Sequence, residues 1–321
     1  IEKVDLLYGG TNGLAAQNEC FVVSGVGFDS IPCDMGTLHN QLMMKEMGLV
    51  PSTVESYLTL KTGKSGGAVH YATYEALILG FANARNLKDI RRGLKERNAG
   101  NDRGAKKPVG PRPKRLTGAK FEPKLGAYCL PFLGSDASIV RRTQNALACA
   151  DADFDPVHHS AMFTVASKWS LSLFAIFGGI LQFLVKYKWG RTLLLNHPKL
   201  FTAGFFSHEG PSPKQIAETS FSMTFHGSGY ASREEAAEVG AKPSRHLTTI
   251  IEGPEPGYVA CSCFVSQAAL TLLDEIQRTK KKNVCDYGVR TTGELLVKTD
   301  YLERLQAQKN GIRIKTLDGL W

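Results

Sequence analysis

The sequence predicts an α/β fold, and three observations predict it. Residues 20–47 run from an aromatic and β-branched stretch through a glycine turn into a helical pattern. The stretches 53–60, 220–226 and 247–252 have the composition and alternation of half-buried strands. From Val265 onward, Ala268, Ala269, Leu272, Leu273 and Ile276 recur at helical spacing, the signature of a helix packed on one side. A chain of 321 residues with 43% hydrophobic residues can fill more than one core, and 21% charged residues is ordinary for a folded protein.

At the start, Val4–Tyr8 followed by Gly9–Gly13 looks like a strand entering a glycine turn, but GGxxG is too short and irregular for a dinucleotide fingerprint. The charged opening has no apolar run behind it, so no signal peptide is expected. Without an initial Met, the chain is expected to begin inside a longer protein. Cys20–Ser24 is the first clear strand, Gly25–Asp34 (GVGFDSIPCD) the turn, and Met35–Met47 the helix. Gly25 and Gly27 let the backbone take positive φ or approach a ligand closely. Asp29 or Ser30 is placed to cap the helix, and Pro32 fits its first turn. A helix N-terminus beside free amides suits an anion, although the same joint serves equally to satisfy the orphan amides of a helix end.

Thr53–Leu60 reads as a strand, Thr62–Gly67 as a loop, and His70–Tyr74 as the entry to an apolar helix through Phe81. His70 can cap that helix or, titrating near neutrality, donate a proton. Residues 85–120 hold thirteen Lys or Arg against three Asp or Glu, which leaves 26 basic and 27 acidic residues elsewhere. This one proline- and glycine-bearing loop therefore carries the whole net charge of +9. A solvated loop or a contact with an anionic membrane suits it. Interleaved aromatics are nearly absent, so no nucleic-acid partner is expected.

Leu130–Asp136 leads into a helix from Ala137, with Ser135 or Asp136 as its cap. Arg141 and Arg142 cannot share a helical face, so at most one reaches a cleft, where a guanidinium would suit a carboxylate or phosphate. An ion pair between Asp136 and an arginine is the alternative. Trp169–Val185 holds seventeen residues without a charge, bounded by Lys168 and Lys186. Such a helix, roughly 25 Å long, sits at the lower edge of what crosses a bilayer. Its aromatic and basic flanks suit the water–lipid boundary, so interfacial insertion, a buried helix and a true span all stay open.

Ser220–His226 reads as a strand ending in the turn Gly227-Ser-Gly229, Leu247–Glu252 as another, and Gly253–Gly257 as a turn. Cys261 and Cys263 alternate as on one strand face. Seven cysteines without a paired CxxC argue for reduced thiols in an intracellular protein and give no metal site. Lys280–Lys282 follow the helix that starts near Val265, at the negative end of its dipole. Gly288–Leu296 and a helix near Asp300–Lys309 close the chain.

The segment Gly27-Phe-Asp-Ser-Ile-Pro-Cys-Asp34 resembles the GFDSIPxD segment of saccharopine dehydrogenase-like oxidoreductases, a family with trans-acting enoyl reductases among its bacterial relatives. Pro131–Thr143 (PFLGSDASIVRRT), Phe206–Pro211 and Gly253–Ala260 agree with the family in the same order, so the resemblance covers most of the chain from about Ala15. It implies an α/β protein in three parts. Residues 1–50 are the C-terminal remnant of a Rossmann domain that has lost its glycine fingerprint. Residues 51–265 form a mixed α/β substrate domain with one apolar membrane-interacting helical segment at 169–185. Residues 266–321 return to the nucleotide domain. The implied cofactor in the intact protein is NADP, lined by Gly25, Gly27, Phe28 and Pro32. Asp29, Ser30 and His70 are the implied catalytic candidates, and Thr73, Asp136 and Arg142 the substrate-facing ones. The implied reaction is hydride transfer to an apolar or lipid-linked small molecule. A lipid droplet or mitochondrial membrane is the expected location, with a cytoplasmic one as the alternative, and a homodimer is compatible. The competing reading is a non-enzymatic lipid-droplet or membrane scaffold, and on either reading this chain alone is expected to be inactive.

Overall fold

The computed structural model describes residues 13–280, 287–309 and 311–317, apart from residues 85, 87, 88, 91, 94, 95 and 97–105. The stretch Val4–Asn12, much of the basic segment before Lys106, and Lys281–Lys282 lie outside the described residues. A seven-stranded mixed sheet dominates. Its strands are β2 (Val50–Lys61), β4 (Lys120–Glu122), β5 (Ala127–Pro131), β6 (His158–Val165), β8 (Ser220–Tyr230), β9 (Arg245–Pro254) and β11 (Arg313–Leu317), in the spatial order β11-β9-β8-β2-β6-β5-β4. Only β2 and β6 run parallel; every other neighbouring pair is antiparallel. Two short parallel ribbons complete the strands. One joins β1 (Phe21–Val23) to β10 (Gly288–Arg290), and the other joins β3 (Val69–His70) to β7 (Phe206–Ser207).

Strand alternation gives the large sheet two unlike faces. Val54, Ser56 and Leu58 of β2 turn toward α1 (Ile31–Glu46), whose Ile31, Met35 and Leu38 share one buried core with Phe225 of β8 and Ile251 of β9. Glu55 and Tyr57 turn the other way, and Tyr57 packs with Cys129, Met162 and Leu116 in a smaller cluster. Helix α1, grouped by sequence with the nucleotide-domain remnant, thus lies on the sheet of the substrate part. The C-terminal residues return twice, once as β10 beside β1 and once as β11 at the sheet edge. A second core lies away from the sheet. There α2 (Tyr71–Ala82) buries Tyr74 and Ile78 against Leu181, Leu184 and Val185 at the end of α4 (Lys168–Leu184) and Leu194 of α5 (Lys188–Asn196).

Several expectations are corrected. Gly227-Ser-Gly229 is no turn, because β8 continues through it to Tyr230. The glycines serve close packing instead: a Cβ on Gly227 would stand 2.0 Å from Asn40 Oδ1, and one on Gly229 2.3 Å from the Val50 carbonyl oxygen. Cys261 and Cys263 do not lie on a strand but open α6 (Cys261–Lys280). Glu255 explains why a helix starts there, since its carboxylate accepts N–H bonds from Gly257, Tyr258 and Val259 at the head of a π-turn, Pro256–Ala260. Strands β4, β5 and β6 went unread, although His159, Ala161, Phe163 and Val165 alternate with His158, Ser160, Met162 and Thr164 along β6.

Candidate functional site

The turn between β1 and α1 is braced against the start of α3 (Asp136–Ala150). Gly25 has φ +74°, and a Cβ there would press on Ser30 Oγ at 3.0 Å and Ile139 at 3.3 Å. Ser30 occupies the cap position, but its side chain does not cap the helix. Ser135 Oγ donates to the Asp29 carbonyl at 3.0 Å, so Ser30 Oγ donates to Ser135 across 2.8 Å. The Phe28 amide donates to Cys261 Sγ at 3.4 Å, and its ring meets Phe221 edge-on at 4.7 Å. Pro32, fully inside the first turn, is buried.

Three carboxyls gather around this brace. Asp34 is fully buried, and its Oδ2 accepts from Thr143 Oγ1 at 2.8 Å, the Gly293 amide at 2.8 Å and Thr292 Oγ1 at 3.3 Å. It thereby clasps α1 to α3 and to the N-terminus of α7 (Thr292–Leu296). Burial raises its pKa to about 6 against those three bonds. Asp136 is buried too; burial first, then the charge of Asp29, push it up to about 8, against a bond from Cys33. It therefore keeps its proton at neutral pH, and its Oδ1 has no hydrogen-bond partner among the described residues. Asp29 is exposed as a residue, yet its carboxyl turns inward, with Oδ1 2.8 Å from where a Cβ on Gly134 would stand. Loss of water raises its pKa as well. The charge of Asp29 thus bears on a buried, protonated Asp136, and both carboxyls are held away from water.

Beneath them, Cys33 Sγ lies 3.4 Å from both Ser56 Oγ and His159 Nε2. Burial drives the Cys33 thiol well up and holds His159 down to about 4, so both are neutral at pH 7. His159 and Ala137, the residue after Asp136, line a cavity of about 740 Å³.

The structure thus brings together Asp29, Ser30 and Asp136. His70 and Thr73 belong to another element: His70 Nδ1 accepts the Ala72 amide at 3.1 Å as the cap of α2, and Thr73 is exposed on that helix. Arg142 is half-buried near Glu294, which burial pushes up while Arg290 and Arg142 pull it down. Asp34, Ser135 and His159 were missed by the sequence reading. Asp34 stands inside the GFDSIPCD motif and was legible there, whereas His159 lies in an unread strand.

No protein-family model matches the chain. It is 35% identical over 317 residues to the saccharopine dehydrogenase-like oxidoreductase of Mus musculus, covering 98% of this chain and 69% of that protein. The chain belongs to the saccharopine dehydrogenase-like oxidoreductases. It spans about two thirds of the length of these relatives. A "lipid droplet localized protein" of Caenorhabditis elegans is 33% identical over 298 residues, 91% of this chain and 66% of that one. A "probable mitochondrial saccharopine dehydrogenase-like oxidoreductase" of Arabidopsis thaliana is 30% identical over 325 residues, 94% of this chain and 68% of that one. Among solved structures, saccharopine dehydrogenase (L-Glu forming) of Saccharomyces cerevisiae shares a TM-score of 0.42 at 10% identity, over 94% of this chain and 75% of that one.

For a nucleotide of the kind dehydrogenases bind, the turn after β1 is the part of the described structure that bears on the fit. The turn amides of Phe28 and Ile31 are already bonded, to Cys261 Sγ and the Gly27 carbonyl, and so take no part in holding a pyrophosphate. The edge where parallel β1 and β10 end, beside Asp29 and Ser30, is where open α/β sheets take ligands.

Proposed function

We propose that the intact protein is an NAD(P)-dependent oxidoreductase, with NADP as cofactor, acting on an unsaturated or carbonyl carbon of an apolar or lipid-linked substrate. The observation that carries this reading is the carboxyl pair at the end of β1, in which Asp136 holds its proton at neutral pH beside Asp29. When bound, the cofactor supplies the hydride. The chain supplies the proton: Asp136 stores it beside the ionised Asp29 and releases it as charge develops on the substrate. Ser30 and Ser135 fix the turn that carries Asp29. After transfer the pair is doubly ionised, an unfavourable state so far from water, and it regains its proton from solvent.

NADPH fluorescence titration tests the reading on this chain and on a chain extended to the length of its relatives. Saturable binding by the longer form is expected. Absence of binding from both would leave the scaffold reading in its place.

A membrane-facing role has its own support. Helix α4 buries Leu181 and Leu184 but exposes Trp169 (74%), Phe174 (51%), Ile176 (61%) and Phe183 (55%), with Tyr187 and Trp189 stacked at 5.8 Å beyond its end. Lys168, Lys186, Lys188 and Arg191 flank this apolar face. Aromatic side chains beside cations suit an interface, where the helix lies in the plane of the lipid surface. The described helix that is long and apolar enough to cross a membrane is a different one, Pro256–Thr279, which buries Phe264 and Ala268 in the main core. Replacing Phe174 and Ile176 by Asp is expected to move the protein from anionic vesicles to the supernatant on flotation without changing its melting temperature. Precipitation of the variant would instead mark α4 as a core helix.

A further inference from the structure

We infer that the cavity between the basic loop and the open face of the seven-stranded sheet binds an amphiphile with an anionic head, a phosphate or carboxylate joined to an apolar chain. Its volume of about 740 Å³ lies in the range of small-molecule sites. Glu55 and Tyr57 of β2 and Met162 of β6 line it from the sheet, on the face opposite α1. The loop bearing Arg112, Lys114 and Arg115 forms its wall. The segment carrying the net positive charge of the sequence is therefore, in its described part, one side of a binding-sized hollow.

That wall is built into the fold. Ser52 Oγ donates to the Val109 carbonyl at 2.7 Å, and Gly110 sits so close to Tyr230 that a Cβ would stand 2.4 Å from its hydroxyl. Lys106 bonds Asp155, whose two oxygens also accept from Arg233 at 2.8 and 2.9 Å. Among the described residues Arg112, Lys114 and Arg115 have no ion-pair partner, whereas Lys120 is paired with Glu122 at 3.6 Å. Their charge is available to a ligand. Of the two acids in the lining, Glu122 is taken up by Lys120 and Glu55 accepts the Tyr57 hydroxyl at 3.4 Å, so the three cations of the loop outnumber the one carboxyl without an ion-pair partner among the described residues.

Beside the polar His159, Ser160 and His226, the lining has an apolar part: Leu116 from the loop, Pro131 from β5, Ala161 and Met162 from β6, and Ala137 from α3. Cations from one element and apolar side chains from three others suit a ligand that is charged at its head and greasy along its body. Since Ala137 follows Asp136, the chain of such a ligand would run toward the carboxyl pair. That extension alone rests on the proposed reaction; the binding site does not.

Isothermal titration with dodecyl phosphate below its micelle concentration tests the assignment, beside inorganic phosphate and the neutral decyl glucoside. One-to-one saturable binding of dodecyl phosphate is expected, with both other probes at least tenfold weaker. R112E/K114E/R115E should weaken dodecyl phosphate at least tenfold, K114E should weaken it to a lesser extent, and F174D/I176D, which alters only the exposed face of α4, should leave it unchanged. Equal binding by the triple variant, or inorganic phosphate or the glucoside binding as tightly as dodecyl phosphate, would overturn it. Because none of these arms involves NADPH, failure here leaves the cofactor titration to decide the oxidoreductase reading separately.

Discussion

Replacing Asp136 by Asn is expected to stabilise the protein at pH 8 and to flatten its stability between pH 6.5 and 8. The folded state raises the Asp136 pKa from 3.8 to about 8, so over that span it holds a proton that the unfolded chain releases. Stability therefore falls as pH rises, and the loss is complete above the folded value. Asp34, raised to about 6, acts in the same direction but is spent by pH 6.5. His159, lowered to about 4, and His226, lowered to about 3, act in the opposite direction. Burial keeps both neutral, the unfolded chain protonates them below about 6.5, and their contribution to stability is complete above that pH. His39, His158 and His246 are lowered by burial as well, and the last part of the histidine contribution still accrues just above pH 6.5, so the parent's slope is a sum of opposed groups. The difference in slope between parent and D136N over pH 6.5 to 8 isolates Asp136, at about 2 kcal/mol. Urea unfolding at the two pH values measures it. Parallel slopes in parent and D136N would show that Asp136 is not the titrating group. On the proposed oxidoreductase reading, the same substitution in the intact protein keeps the shape of the carboxyl but removes its proton, and the rate of substrate reduction should fall by about 10²- to 10⁴-fold. Stabilisation with loss of activity is the combination that separates a stored proton from a merely structural acid.

How much of this was legible in the sequence follows from how local each signal is. The β1–turn–α1 unit announces itself because its glycines, cap candidates and periodic apolar residues are contiguous, and the helix appears four residues earlier than its apolar pattern begins, at Ile31. The pairing of Asp29 with Asp136 was not legible, since 107 positions separate them and their segments meet through bonds that exist only in the fold, from Ser135 to Ser30 and to the Asp29 carbonyl. The basic loop misled for a related reason. Composition says that Arg112, Lys114 and Arg115 are solvated, and they are exposed, but only the fold shows a hollow behind them. The glycines of β8 misled most directly. Gly-Ser-Gly after a strand reads as a turn by backbone preference, yet Gly227 and Gly229 are there to let Asn40 and Val50 approach.

The same logic at Gly36 gives the largest structural effect. Glycine in the middle of a sixteen-residue helix should be a liability, and on propensity alone Gly36→Ala would gain about 1 kcal/mol. A Cβ at position 36, however, would lie 2.1 Å from Phe225 Cζ and 2.4 Å from Cε2, and the ring is completely buried between α1 and the sheet. The ring cannot swing into solvent, so either α1 lifts or β8 shifts, and overpacking of this kind costs about 1–3 kcal/mol or more. The clash outweighs the propensity gain. Gly36→Ala is expected to lower stability by about 2 kcal/mol net, with α1, Asp34 and the clasp on α7 loosened together. Phe225→Leu removes the ring atoms that cause the conflict, at its own cost in buried area. In that background Gly36→Ala should become neutral or stabilising, a coupling measurable by a double-mutant cycle in urea. If Gly36→Ala destabilised equally with and without the Phe225 ring, the close approach of α1 to β8 would not be the reason for glycine at this position.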